Sequence, residues 1–316
     1  MNISYTAPLS RAIGRMKSLL FRRPFEIETW VVIAFSAWLA NIFSGTSSGA
    51  GSRWKESSRE LAGRADHLGD WLANPTILML IALGLCAFAL ILLVLAWVSA
   101  RAEFVFLDNV VNGRPAFMAP WKRFGRLGMS LFLWNAAFSF AWLVPLAAVA
   151  WPLAPNVVSA LAGNGFGAPD VAGLLLGGFV AMLCMLVIAF VATLMQDFVV
   201  PLMYRYDESA MQAWARFRPL LSREASDFGA YVAFNWVVWV AVYLCLIVAG
   251  FVTCCIGLVL MAIPYVGALV QLPVYVSGRA FGPEFLRQYG PEWDVFPPAP
   301  PAPPATEEWA EAPAIQ

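Results

Sequence analysis

One histidine, five cysteines and only 13% Asp, Glu, Lys and Arg are found in 316 residues. With His67 as the lone imidazole and no Cys-x-x-Cys pair, the usual zinc ligand sets cannot be assembled, and no metal site is expected. Cys86, Cys184, Cys245, Cys254 and Cys255 all fall in or at the ends of apolar runs, where a thiol serves as a small hydrophobe. There is no G-x-x-x-x-G-K-[ST] loop to cradle phosphates and no H-E-x-x-H pair. A Ser/His/Asp triad around His67 would need a rigid scaffold that a surface segment of about thirty residues does not supply. The sequence therefore predicts no cofactor, no catalytic residue and no enzyme. A formal net charge of zero, with basic residues in short scattered clusters, also argues against nucleic acid as a partner.

What is abundant is apolar side chain. Hydrophobic residues make up 60% of the chain, and the mean hydropathy is +0.70. A soluble protein of this length cannot bury that much, so the chain belongs in a bilayer. A hydrocarbon layer of about 30 Å needs roughly 20 helical residues. Six runs approach that length, at about 28–44, 75–100, 128–151, 170–196, 229–252 and 254–277. Sixteen of the twenty Lys and Arg lie before the first run, after each even-numbered run, or after the last. By the positive-inside rule both termini are expected in the cytoplasm. No Asp, Glu, Lys, Arg or His lies in the interior of any of the six runs, which argues against a proton pathway.

Short basic amphipathic segments lead into three of the runs. AIGRMKSLL from Ala12 precedes TWVVIAF from Thr29, and AWARFRPLL from Ala213 precedes AYVAFNW from Ala230 in ungapped register. PWKRFGRLGMSLFLWN from Pro120 is a third copy with a shorter connection. The predicted architecture is all-α: a polytopic six-helix transmembrane bundle of three repeated helical hairpins, each preceded by a cytoplasmic amphipathic helix. It occupies residues 1–290. Residues 45–74 form an outer loop with an amphipathic helical pattern, and residues 291–316 are a Pro-rich tail whose composition predicts disorder.

Two sets of residues are candidates for recognition. On the cytoplasmic rim, Arg15, Lys17, Trp121, Lys122, Arg123, Arg126, Trp214, Arg216 and Arg218 could contact anionic lipid head groups, or could only set topology. Within the runs, Asn135 and Asn235 occupy equivalent places in two copies, and Gln271 adds a third amide; interhelical hydrogen bonding and a polar binding site both fit. The second and fourth runs lead into Glu103 and Asp197, with Arg123 and Arg216 as expected partners. Pro145 and Pro264 predict a bend and a kink.

The segments RAEFVFLDNVVNGRPAFMAPWKRFGRLGMSLFLWN and DFVVPLMYRYDESAMQAWARF resemble an uncharacterised family of polytopic bacterial membrane proteins, itself similar to the membrane domain fused to some glycerophosphodiester phosphodiesterases. The resemblance implies a bacterial inner-membrane module. Nothing in the chain matches the soluble catalytic barrel of those enzymes, so it transfers no catalytic residue. Two functions follow as expectations. The first is a non-catalytic scaffold or lipid-associated accessory component, with membrane lipids and a membrane or envelope protein as partners. The second is a carrier for a neutral or amphiphilic solute through a cavity lined by Asn135, Asn235 and Gln271.

Overall fold

The computed structural model describes residues 3–21, 26–42, 75–161, 168–253, 256–263 and 265–296. The expected outer amphipathic helix within 45–74, His67, Pro264 and the tail beyond residue 296 lie outside these. The described residues are helical throughout, without strands. In chain order the helices are α1 (Thr6–Leu20), α2 (Ile27–Ala40), α3 (Pro75–Asn112), α4 (Met118–Arg123), α5 (Gly125–Leu161) and α6 (Ala168–Leu194). A π-turn at Met195–Val199 joins α6 to α7 (Val200–Tyr206). There follow α8 (Ala210–Arg223), α9 (Ala225–Val252), α10 (Ile256–Ala262), α11 (Val266–Val270) and α12 (Leu272–Leu286).

Four of the six expected runs form helices long and apolar enough to cross a membrane: Pro75–Asn112, Gly125–Ala148, Val171–Tyr206 and Ala225–Val252. The first run is the shorter apolar helix α2, of 14 residues, about 21 Å at 1.5 Å per residue. The sixth is divided into α10, α11 and the start of α12. Tyr265 has φ 67°, a left-handed conformation that a helix does not continue through. At Gly267 a Cβ would collide with the Met261 carbonyl oxygen, so only glycine lets the chain fold back this tightly. Pro145 lies inside α5, which runs past it as one helix.

The long helices exceed the expected spans. At 38 residues α3 is about 57 Å long, nearly twice a hydrocarbon layer. Its two ends differ. From Pro75 to Val94 nearly every side chain is exposed, whereas from Ser99 to Val111 all but Arg101 are buried. The same division runs through α6–α7 and α9, whose buried residues fall between Leu194 and Met203 and, Gly250 apart, between Phe228 and Asn235.

The packed end is built on aromatic rings. Phe198, Phe217, Phe228, Tyr231 and Phe285 are fully buried and Phe281 is 2% exposed. Phe198 lies 5.4 Å from Phe217, 5.0 Å from Phe228 and 4.9 Å from Tyr231, and Tyr231 lies 4.8 Å from Phe281. Each such pair contributes about 0.5–1.5 kcal/mol beyond the area it buries. The amphipathic helix α1 docks on α12 through Glu284, 1% exposed, which accepts from Arg11 Nε and Arg15 Nη2, both at 2.9 Å. Asp108, also 1% exposed, accepts from Tyr204 at 2.8 Å and from Asn112 at 2.9 Å, tying α3 to α7.

Candidate functional site

Where α3, α6 and α12 meet within the packed end, three charged side chains come together. Glu103 is 6% exposed, and the Arg279 side chain is 8% exposed, with its Nη2 4.0 Å from Glu103 Oε2. Asp197 sits in the π-turn. The sequence-based partners for these acids were Arg123 and Arg216, and the structure replaces both with Arg279. Arg123 lies over the Phe124 ring instead, and Arg216 pairs with Glu208 and covers the Tyr206 ring at 4.1 Å. The acids also lie within continuous helices rather than at their ends, because α3 and α6–α7 extend about a dozen and ten residues past the expected limits.

The hydrogen bonds around the three charges are incomplete. Gln196 Nε2 donates to Glu103 Oε1 at 3.0 Å, while the buried Glu103 Oε2 has no hydrogen-bond donor. Asp197 Oδ2 accepts from Tyr231 Oη at 3.0 Å and from Asn235 Nδ2 at 3.2 Å. The terminal nitrogens of Arg279 donate to the Gln196 and Glu103 carbonyls at 3.3 Å, and its Nε is buried without an acceptor. Gly282 lets α12 close on the π-turn: a Cβ there would lie 2.7 Å from Asp197 Cβ and collide with the Asp197 carbonyl.

The cluster faces a partly open cavity of about 490 Å³, within the range of small-molecule sites, about 300–1,000 Å³. Each wall follows helical spacing. From α9 come Trp236, Trp239, Val240 and Tyr243, the i, i+3, i+4, i+7 stripe of one face. Tyr275, Gly278 and Arg279 give the same spacing on α12, and Glu103 with Phe106 on α3. A Cβ on Gly278 would come 2.9 Å from Trp239 Cζ2, so the glycine lets that indole approach α12. Ala192, Thr193, Gln196 and Asp197 from α6 and the π-turn, with Ala40 and Asn41 at the end of α2, add to the wall. A wider π-turn brings the neighbouring Gln196 and Asp197 to the same cavity, and such turns recur at functional sites.

Of the three amides expected within the apolar runs, Asn235 lines this cavity and is 7% exposed. Asn135 is exposed and lines a second cavity of about 50 Å³, whose wall shares Glu103 and Gln196 with the first. Gln271 is 5% exposed and lines neither. The three do not meet in one chamber. The basic rim divides in a comparable way. Arg15 is held by Glu284 and stacks 3.5 Å over the Phe296 ring. Arg126 pairs with Asp207 at 2.6 Å. Trp121 stacks on Phe117 beneath the Arg101 guanidinium, and Trp214 packs 5.7 Å from Trp134. Lys17, Lys122, Arg123 and Arg218 are exposed, with no ion pair among the described residues.

No group of three or more His, Cys, Asp or Glu able to hold a metal occurs among the described residues. The letters G-x-S-x-G do occur at Gly45–Gly49, outside the described residues. The preceding segment is the helix α2 rather than the strand that a nucleophile elbow requires.

Neither the curated proteins nor the solved structures contain a match to this chain. Nothing links it to the membrane domains of glycerophosphodiester phosphodiesterases, so that part of the resemblance falls away and the uncharacterised family remains. Residues 4–285 match DUF7544, a family of unknown function, and the chain belongs to that family.

Proposed function

We propose that this is a non-catalytic integral membrane protein that binds an amphiphilic solute in the cavity between α2, α3, α6, α9 and α12, as a carrier or a solute-binding accessory component. The observation that supports this most is the buried Glu103 Oε2, without a hydrogen-bond donor beside about 490 Å³ of space. Were the charges only a clamp between helices, the closest packing and fullest pairing would stabilise it best, because a buried ion pair repays its desolvation only with good geometry. Instead Arg279 stands 4.0 Å from Glu103 Oε2, beyond hydrogen-bond reach. The apolar lining and the few convergent polar groups have the character of a ligand site.

In this reading the packed end faces the cytoplasm and carries both termini, since sixteen of the twenty basic residues flank it. The membrane would be the bacterial inner membrane, and the three amphipathic helices α1, α4 and α8 would mark three copies of one hairpin unit. Titration calorimetry on the chain in discs of neutral lipid tests the solute reading, with hexylammonium, hexanol and hexanoate as probes and the heats of empty discs subtracted. At least one probe is expected to saturate at one site per chain, and Ala192→Phe, which fills the cavity from α6, should weaken it at least tenfold. Saturation by none of the three, or binding unchanged in the variant, overturns the reading.

A second role, contact with anionic lipid head groups, is supported by the four exposed cations Lys17, Lys122, Arg123 and Arg218. Each would contribute about 1 kcal/mol at an anionic surface. Changing all four to Gln should release anionic lipid in a flotation assay, and unchanged retention removes this role.

A further inference from the structure

Resting on the reading of the cavity as a ligand site, we infer that its ligand is an organic cation: an ammonium head on an apolar chain, held by Glu103 and faced by the aromatic stripe of α9. The charge count is the first reason. Two carboxylates, Glu103 and Asp197, share one guanidinium, Arg279, and all three line the same cavity. With both acids ionised the three carry one negative charge in excess, which a bound cation would balance.

The hydrogen-bond inventory gives the second reason. Asp197 is served by Tyr231 and Asn235, and one oxygen of Glu103 by Gln196. The remaining oxygen, Glu103 Oε2, is a buried acceptor with nothing to accept from. Arg279 Nε is likewise without a partner, and an anion could in principle take it. That single N–H lies beside two carboxylates, however, and both terminal nitrogens of Arg279 are tied to backbone carbonyls of α3 and the π-turn. An anion entering there meets more repulsion than attraction, whereas a cation meets the reverse.

The lining chemistry is the third reason. Trp236, Trp239 and Tyr243 fall on one face of α9, and Tyr275 joins them from α12. Indole and phenol faces attract cations within about 6 Å of the ring centre, and aromatic walls closed by an acid are how quaternary ammonium groups are held. The space at Gly278 lets Trp239 take its place in that wall. A hydrocarbon would use the rings but leave Glu103 Oε2 without a donor, and a neutral hydroxyl could donate to it without balancing the charge.

The same calorimetric titration at pH 7 tests this. Hexylammonium, whose N–H groups can serve Glu103 Oε2 as a quaternary head cannot, should bind at least tenfold more tightly than hexanol, and hexanoate should bind weakest. Glu103→Gln should remove the preference for the cation while hexanol still binds. Trp239→Leu should weaken the cation several-fold more than it weakens hexanol, and decides the matter independently if Glu103→Gln does not fold. Hexanol or hexanoate binding as tightly as the cation overturns the inference and leaves the solute reading standing. A preference that persists in Glu103→Gln, or in Trp239→Leu where that variant decides, also overturns it. If no probe saturates, the solute reading itself has failed.

Discussion

The two ends of α3 are built on opposite plans. From Pro75 to Val94 the helix offers lipid-soluble side chains to its surroundings, Leu85 being 63% exposed and Met79 73%. From Ser99 to Val111 the same helix is buried and carries Glu103, Asp108 and Asn109, each with hydrogen-bonded partners on other elements. The difference teaches where the fold is specified. A helix in hydrocarbon satisfies its own backbone and gains little from leaving lipid for another apolar helix. Polar groups and interlocked rings have far fewer alternatives, so they fix which helices meet and in what register. Among the described residues the buried contacts that the chain makes with itself concentrate in the packed end, and the cavity lies at the edge of that region.

The sharpest way to break this comparison is to remove a large apolar side chain on each side of the division, one packed and one bare. Phe228 is fully buried and contacts Phe198, Phe217, Phe285 and Tyr289. Phe228→Ala should cost about 3–5 kcal/mol, the usual range for emptying an aromatic core position. Leu85→Ala, in the exposed half of α3, should shift the melting temperature in neutral detergent far less. Comparable losses from the two would mean that the bare half packs as tightly as the other and that the division is false.

Next in size is the anchor of α1. Glu284→Ala removes the acceptor of both Arg11 and Arg15. Breaking a buried pair costs about 3–5 kcal/mol, and partial exposure of the two arginines, 43% and 27%, should bring the loss nearer 2 kcal/mol or below. Protease protection of residues before Ala12 reports whether α1 has come away from α12; continued protection would mean that apolar contacts alone hold it.

The sequence made the long apolar helices legible, because apolar run length is a local signal. It also marked Glu103 and Asp197 as a matched pair and Asn235 as an amide needing a partner. It could not supply Arg279, which reaches Glu103 from 176 residues along the chain and therefore depends on how α12 packs. Nor could it separate a crossing from a broken one in the last run, where the decisive feature is the backbone turn at Tyr265. The Trp236, Trp239, Tyr243 stripe was present in the spacing. In an aromatic-rich chain it gave no contrast until a cavity stood in front of it.

A finer test uses the two amides that occupy equivalent places in the sequence. Asn235 donates to Asp197 and is 7% exposed, so Asn235→Ala leaves a carboxylate with one donor fewer and should cost about 1–2 kcal/mol. Asn135 is exposed beside the smaller cavity, and Asn135→Ala should change stability by less than half as much. Equal losses would place both amides in the packed end and move its boundary outward along α5.

The smallest effect expected lies on the rim. Glu208 accepts from Arg216, and this bond holds its carboxyl below the usual carboxylate range. A lowered folded pKa means that the folded state favours the ionised form. The stabilisation is therefore present above the ordinary glutamate value near 4.5 and fades as pH falls through the lower folded value. Both side chains are partly exposed, Arg216 at 41% and Glu208 at 24%, so Glu208→Gln should cost under about 1 kcal/mol at pH 7 in low salt. The deficit should shrink as salt is added, and vanish in acid once the wild-type carboxyl is protonated. A deficit indifferent to both would assign Glu208 to shape rather than charge, and would extend the tightly specified end as far as the loop before α8. The cavity tolerates no such latitude: there a charge without a partner is enclosed by protein, whereas on the rim water supplies whatever a lost partner removes.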